Sequence, residues 1–208
     1  MSTTMLRRRV LARLGLSFLV ASTASVRAAD PAVTAPIQHL DDALLGVMKA
    51  GRAVPFDHRF GQLAPIIDTV FDQSVILETS VGPTWNALSA DQHSALHTAF
   101  RRYTIASYVS SFDAFTGQRF DILPDTRALP NNEQVVTTHI IPTSGEAHRL
   151  DYVMRQNAGA WQVVDVLADG TISRVAVQRS DFRRMLMQGG SAALVASLQS
   201  KAAQLAGS

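Results

Sequence analysis

The 208-residue chain contains no cysteine. Disulfides, thiolate nucleophiles and cysteine-ligated metal centres are therefore excluded. It has no G-x-S-x-G elbow and no glycine-rich phosphate-binding loop, so two common routes to acyl and phosphoryl chemistry are missing as well. Charge is sparse, at 17 % of residues. Past the first 28 residues no apolar run approaches the roughly 20 residues that a membrane-spanning helix needs. There is no internal repeat and no low-complexity tract. No acidic residue precedes Asp30.

That lack of acid coincides with an excess of arginine. Arg7, Arg8, Arg9 and Arg13 form a basic region, and Leu14 to Ala24 is mainly apolar. Val26-Arg27-Ala28 then places small residues where a signal peptidase reads. This order is that of a secretory signal, too short and wrongly flanked for a membrane span. The expectation is a signal peptide over residues 1–28, cleaved after Ala28, and a single soluble domain over residues 29–208 in the periplasm. Arg8-Arg9 loosely resembles a twin-arginine signal with an incomplete consensus, so the general export route is expected. The signal holds five of the 19 basic residues and none of the 17 acids, which leaves 14 against 17, net −3. The precursor's pI of 9.4 is thus a property of the signal. It gives no reason to expect nucleic acid as a partner. A chain of about 180 residues can bury a core large enough to do without disulfides.

The stretch His148 to Phe182 organises the rest. Leu150, Tyr152 and Met154 alternate with Asp151 and Arg155, a strand with one polar face. Gln156 to Gly159 is a turn. Trp161 to Leu167 is apolar at both parities after Gln162, the pattern of an interior strand covered on both faces. Asp169-Gly170 turns the chain again. Upstream, Gln134 to Ile141 is rich in β-branched residues and reads as a strand. Arg119 to Leu123 reads as another, and Pro124 to Asn132 as a polar loop.

Helices flank this meander. Thr34-Ala35-Pro36 is expected to open one carrying Ile37, Leu40, Leu44, Leu45 and Met48, ended by Gly51. Phe60, Leu63, Ile67, Val70 and Phe71 keep the helical period, with Pro65 expected to start a new helix or kink this one. Ser89 and Gln92 form a capping box for a long helix reaching toward Phe112. Its apolar side is aromatic: Leu96, Phe100, Tyr103, Ile105, Tyr108 and Phe112. Phe182, Met185 and Leu186 open the last helical region, divided by Gly189-Gly190. The order gives an α+β fold, an antiparallel four- to five-stranded meander covered by helices.

Reactive candidates are few. His93 and His97 lie four apart on one helix face, a spacing that suits a metal pair but lacks a third ligand. Two surface histidines is the favoured reading. His139 alternates with strand residues, which suits a half-buried structural role. Asp151 and Asp165 sit in strands, where a carboxylate facing an apolar cavity can act as a general base. An ion pair or a turn-fixing hydrogen bond is the simpler role for each. Arg174, Arg179, Arg183 and Arg184 cluster near one helix start, either to meet an acidic partner or lipid headgroup or as a solvated face. Residues of the AVILMFWYC set make up 47 % of the chain. This allows either a solid core or a cavity between sheet and helices.

Two segments carry a resemblance. The first holds Phe71-Asp72, Gly82-Pro83-Thr84-Trp85, Leu88-Ser89, Gln92, Phe100, Tyr108 and Phe112. The second holds Trp161 to Val166, Gly170, Ser173-Arg174-Val175 and Gln178-Arg179-Ser180-Asp181-Phe182. Together they resemble the MlaC-like toluene-tolerance family of periplasmic phospholipid-binding proteins, which serve an inner-membrane ABC transporter. The run Asp169 to Phe182 looks most like the hopanoid-biosynthesis-associated branch, HpnM. The chain departs from the phospholipid-shuttling members at Leu167 to Thr171, where those carry a shorter turn, and this leaves the ligand open.

The resemblance implies an MlaC-like cone, similar in outline to the NTF2-like fold, that encloses an apolar cavity. It implies a phospholipid or hopanoid ligand, no cofactor, no metal and a monomer. The implied partners are an inner-membrane transporter complex and an outer-membrane lipoprotein complex. Tyr152, Met154, Trp161 and Val163 are the candidates for the sheet side of the cavity, and Phe71, Ile76, Phe100, Tyr103 and Tyr108 for its cover. Val70, Val75, Trp85, Phe112, Leu150 and Val175 complete the lipid-binding candidates. The alternative is a small exported isomerase-like enzyme with Asp165 or Asp151 as base.

Overall fold

The structure, a computed structural model, describes residues 26–28 and 30–207. An antiparallel sheet runs β1 (Val26–Ala28), β2 (Arg119–Leu129), β3 (Glu133–Ile141), β4 (His148–Asn157), β5 (Ala160–Ala168) and β6 (Ile172–Ser173), each strand beside the next in sequence. Four helices precede the meander: α1 (Pro31–Ala50), α2 (Phe56–Val70), α3 (Gln73–Val81) and α4 (Ala90–Ser111). One follows, α5 (Arg174–Ala206). This is the α+β arrangement expected. The signal segment lies outside the described residues except for β1, whose backbone pairs with Asp125 to Arg127. Without that short edge strand the sheet has five strands. No described helix is long and apolar enough to cross a membrane.

Capping chemistry explains where the helices begin. At α4, Gln92 N–H donates to Ser89 Oγ at 3.3 Å, and Ser89 N–H donates to the Gln92 amide oxygen at 2.8 Å. This is the expected reciprocal box. The start of α1 differs from the sequence expectation. Asp30 accepts from Ala32 N–H at 2.9 Å and Pro31 takes the first helical position, so Pro36 falls inside the helix. A side-chain cap directly before a proline is the stronger start signal.

Pro65 also lies inside a helix, α2, instead of opening a new one. Leu63 and Ile67, either side of it, are both fully buried. Packing on both flanks holds the helix through the lost bond to Gly61.

The stretch Pro124 to Leu129 is strand rather than loop. The register between β2 and β3 breaks between Ile122 and Thr126, so the proline sits in an irregularity where no ladder donor is required. The turn itself is Pro130–Asn132, with Asn131 and Asn132 at positive φ. In α5, Gly189 and Gly190 leave helical geometry, and a Cβ at Gly189 would stand 2.8 Å from Ala193 Cβ. The expected break between two helical segments is therefore present.

Two apolar clusters carry the fold. The larger joins α1 (Ile37, Leu40, Leu44) and α2 (Leu63, Ile67) to the inner sheet face (Val136, Tyr152, Met154, Val163). The second joins α3, α4 and α5 through Leu77, Leu96, Phe100, Phe182, Leu194 and Leu198. On the outer face Val135, Val153 and Val164 form a small third cluster with Val75. Val163 faces the inner core and Val164 the outer cluster, and the register shift beside them, where Met154 pairs with Val163 but Val153 with Asp165, reverses the parity so that Val166 opposite Tyr152 faces the inner side again. That is the physical origin of the two-parity apolar pattern in this strand.

Candidate functional site

The junction of α2 and α3 closes the edge of β5. Phe71 bridges Val163, Asp72 N–H donates to Val163 O at 3.0 Å, and Gln162 Nε2 donates to Thr69 O at 3.1 Å. This fixes Phe71 beside the C-terminal half of α4. Its ring lies 5.4 Å from Tyr108, Tyr108 stacks on Phe112 at 6.0 Å, and Phe112 meets Phe120 at 6.0 Å. Two adjoining pockets follow this aromatic row. The first is walled by Phe71, Ile76, Phe100, Tyr103, Tyr108, Val166 and Val175. The second is walled by Tyr108, Phe112, Ile140, Leu150 and Val166. Ser107, Tyr108, Val166 and Arg174 belong to both, so the two are continuous. Their volumes are about 60 and 230 Å³.

The polar groups around the pockets fall into two kinds. Arg174 is exposed at the shared rim and makes no hydrogen bond or ion pair among the described residues. Asp165 is the opposite case. Its Oδ1 accepts from Val166 N–H at 2.8 Å and Val175 N–H at 3.1 Å, and its Oδ2 from Ser173 Oγ at 2.5 Å. The carboxylate thereby fixes the start of α5 to β5. Asp151 is fully buried among polar partners: Arg149 at 2.8 Å on both oxygens, Thr137 at 3.0 Å and Arg127 at 3.7 Å. Both aspartates are thus committed to structural bonds.

Asp41 on α1 differs from both. It is 2 % exposed, and neither oxygen has a hydrogen-bond partner. Burial, with Asp42 beside it, pushes its carboxyl up to about 7. Burial also raises the phenols of Tyr108 and Tyr152, and the Asp41 charge adds to both. At Tyr108 the nearby Arg174 pulls the other way.

The MlaC protein family matches residues 38–200. The chain belongs to the MlaC family. Among solved structures it is similar to the phospholipid-binding protein from Ralstonia solanacearum, determined in complex with a phospholipid. That similarity is 22 % in sequence, covers 84 % of this chain and 98 % of that one, and has a TM-score of 0.72. At this identity the likeness shows a shared fold. No curated protein sequence matches.

In this MlaC-family chain the pockets gather eight of the lipid-binding candidates named from the sequence. Phe71, Ile76, Phe100, Tyr103, Tyr108 and Val175 line the first, and Tyr108, Phe112 and Leu150 the second. The sheet side is Leu150, Val166 and Ile140 rather than Tyr152, Met154, Trp161 and Val163. Tyr152, Met154 and Val163 are at most 1 % exposed and pack into the core, with Val70 beside them and Trp161 at its margin. Val75 faces the outer cluster.

Trp85 belongs to the second core, away from the pockets. His93 stacks on it at 4.1 Å and its Nε2–H donates to Trp85 O at 3.0 Å, while His97 meets it edge-on at 5.5 Å. The two histidines clamp a tryptophan and are half-buried.

Sequence reasoning passed over Gln73, Thr104, Ser107, Ser111 and Gln178 in the walls. A signal for the hydroxyls was present: Phe100, Tyr103, Thr104, Ser107, Tyr108, Ser111 and Phe112 form one unbroken three–four stripe along α4.

Proposed function

We propose that this protein is a periplasmic lipid carrier that takes acyl chains or a hopanoid into the pockets beneath α4. The observation that carries the reading is the aromatic-walled pocket pair with a free arginine, Arg174, at its shared rim. Apolar walls take chains, and an unpaired guanidinium suits a phosphate headgroup held at the surface. Family membership and the phospholipid bound to the similar Ralstonia protein support the same reading. The energetics favour it too: at about 0.8 kcal/mol per methylene, a two-chain lipid does not leave a bilayer for water at a useful rate. Both pockets lie below the roughly 300 Å³ of a typical small-molecule site. Chains therefore enter by parting α4 from β4 and β5.

The segment Asp169 to Phe182 supports a hopanoid-associated role, with lipid exchanged at an inner-membrane ABC transporter and an outer-membrane lipoprotein complex. Export rests on the order of residues in 1–28. Catalysis is no part of this reading, because Asp151 and Asp165 spend their oxygens on structure. Native mass spectrometry of protein purified from membrane-containing cells tests the carrier. Bound lipid that exchanges with vesicles is expected, and Arg174→Ala should weaken uptake of anionic phospholipid. A chain that carries no lipid and takes none from vesicles would refute the reading.

A further inference from the structure

The first pocket is not apolar throughout. Gln73 Oε1 and Thr104 Oγ1 both lie in its wall, both are shielded from solvent, and neither has a hydrogen-bond partner within the protein. The second pocket contains neither residue, so the unpaired groups belong to the first alone of these two pockets. A buried acceptor left unpaired costs stability, and such groups are rare unless a ligand completes them.

The orientation of each group is determined by its neighbours. Arg101 binds Asp68 through three contacts of 2.6 to 3.1 Å, and Gln73 Nε2 donates to Asp68 Oδ1 at 2.9 Å. Flipping the amide would set its oxygen against a carboxylate, so Oε1 is the atom left in the pocket wall. Thr104 contrasts with its neighbour one turn on. Ser107 Oγ donates to Tyr103 O at 2.8 Å, as helix hydroxyls commonly do. Thr104 makes no such bond, and its hydroxyl keeps both a donor and acceptor capacity.

Resting on the carrier reading, we propose that the ligand bears an alcohol on the part that enters the first pocket. One hydroxyl satisfies both groups: it donates to Gln73 Oε1 and accepts from Thr104 Oγ–H. A plain acyl chain satisfies neither, and an ammonium can donate to both only by carrying an unpaired charge into an apolar pocket, which is costly. The pocket therefore selects hydroxylated lipids over their saturated hydrocarbon counterparts.

The test measures binding of octadecanoate and of a series of hydroxyoctadecanoates, with the hydroxyl moved along the chain, to the exported protein. At least one isomer should bind about tenfold more tightly than octadecanoate, as two added hydrogen bonds to buried groups imply. Thr104→Val, which keeps the shape, and Gln73→Leu should each reduce that preference several-fold, read as the ratio of the two affinities in the same variant. Melting curves accompany both variants. If Gln73→Leu does not fold, Thr104→Val alone must still reduce the preference. Equal affinity for every isomer, with octadecanoate bound, would overturn the alcohol and leave the carrier standing. So would a preference that survives both substitutions, since the polar pair would then be hydrated rather than recognising a ligand. Failure of all the fatty acids to bind, together with no lipid retained on purification and none taken up from vesicles, would sink the carrier reading itself.

Discussion

The same face of one sheet is filled under α1 and open under α4. Beneath α1, Tyr152, Met154 and Val163 meet Ile37, Leu40 and Leu44, and all six are at most 1 % exposed. Beneath the C-terminal half of α4, Leu150, Val166 and Ile140 meet Tyr108, Phe112, Ser107 and Ser111, and two voids remain. The difference comes from the side chains each helix presents. Branched aliphatics interdigitate to native density. Stacked rings bridge a wide gap without filling it, and serines are too short to reach across. Position in the sheet therefore does not decide whether a surface becomes core or site; the residue types on the covering helix do.

Asp41 stands at the border of the two regions, and its charge reaches both Tyr108 and Tyr152. It should give the largest effect. Its folded-state pKa, about 7, lies above the ordinary 3.8. The folded state thus holds the proton more tightly than the unfolded one. The resulting stability is complete below about pH 4 and is lost as pH rises through 7. A three-unit difference corresponds to about 4 kcal/mol. Urea titrations between pH 4 and 8 should show this decline, and Asp41→Asn should flatten it. A variant with the same slope as the parent would place the titrating group elsewhere.

Leu44→Ala comes next. It deletes methylenes from the filled region, where neighbours cannot collapse, and should cost about 2–5 kcal/mol. The matching change in the open region, Phe112→Ala, borders space that already exists and should cost clearly less. Chemical denaturation of both variants at one pH checks the contrast. Equal losses would mean that the pockets close in solution.

Third, Val163→Trp and Val166→Trp place the same bulk three residues apart on β5. The first overpacks the filled core and should cost about 1–3 kcal/mol. The second enters the pockets, so it should leave the melting temperature nearly unchanged and abolish lipid uptake. Lipid content and melting must be read on the same samples. If both variants melt early and both keep lipid, the filled and open regions have been assigned the wrong way round.

Much of this layout was legible in the sequence. The meander, the capping box at Ser89 and the break at Gly189-Gly190 follow from local chemistry, which sequence carries directly. The helix side of the pocket was also legible, because Phe100, Tyr103, Tyr108 and Phe112 recur at helical spacing along α4, although Ile105 and Val109 cover a second side of it in the main core. The sheet side was not. Trp161 to Leu167 is apolar at both parities, and only the bulge beside Val163 decides which residue faces which layer. Pro65 was read as a helix start or a kink and Pro124 as the start of a loop, yet burial of Leu63 and Ile67 in one case and a register irregularity in the other keep both inside regular elements. Thr104 and Gln73 were passed over because a search for apolar residues does not register a hydroxyl or amide left unpaired inside an apolar stripe.

The smallest effect belongs to the N-terminal end of α4, which is filled like the region under α1 but by aromatic stacking. His93 and His97 hold Trp85 from two sides, at 4.1 and 5.5 Å between ring centroids. His97→Ala removes the edge-on contact and leaves the stack and the His93 bond to Trp85 O. An aromatic pair contributes about 0.5–1.5 kcal/mol beyond its buried area, and a half-exposed partner falls at the low end. The variant should therefore lose under about 1 kcal/mol, show a small change in tryptophan fluorescence and keep full lipid uptake. Added zinc should stabilise parent and variant equally, because the two imidazoles are turned to one indole. Stabilisation by zinc that vanishes in His97→Ala would show that the histidines can leave Trp85 for a metal. It would also mean that this end of α4 is not the fixed support against which the open half moves.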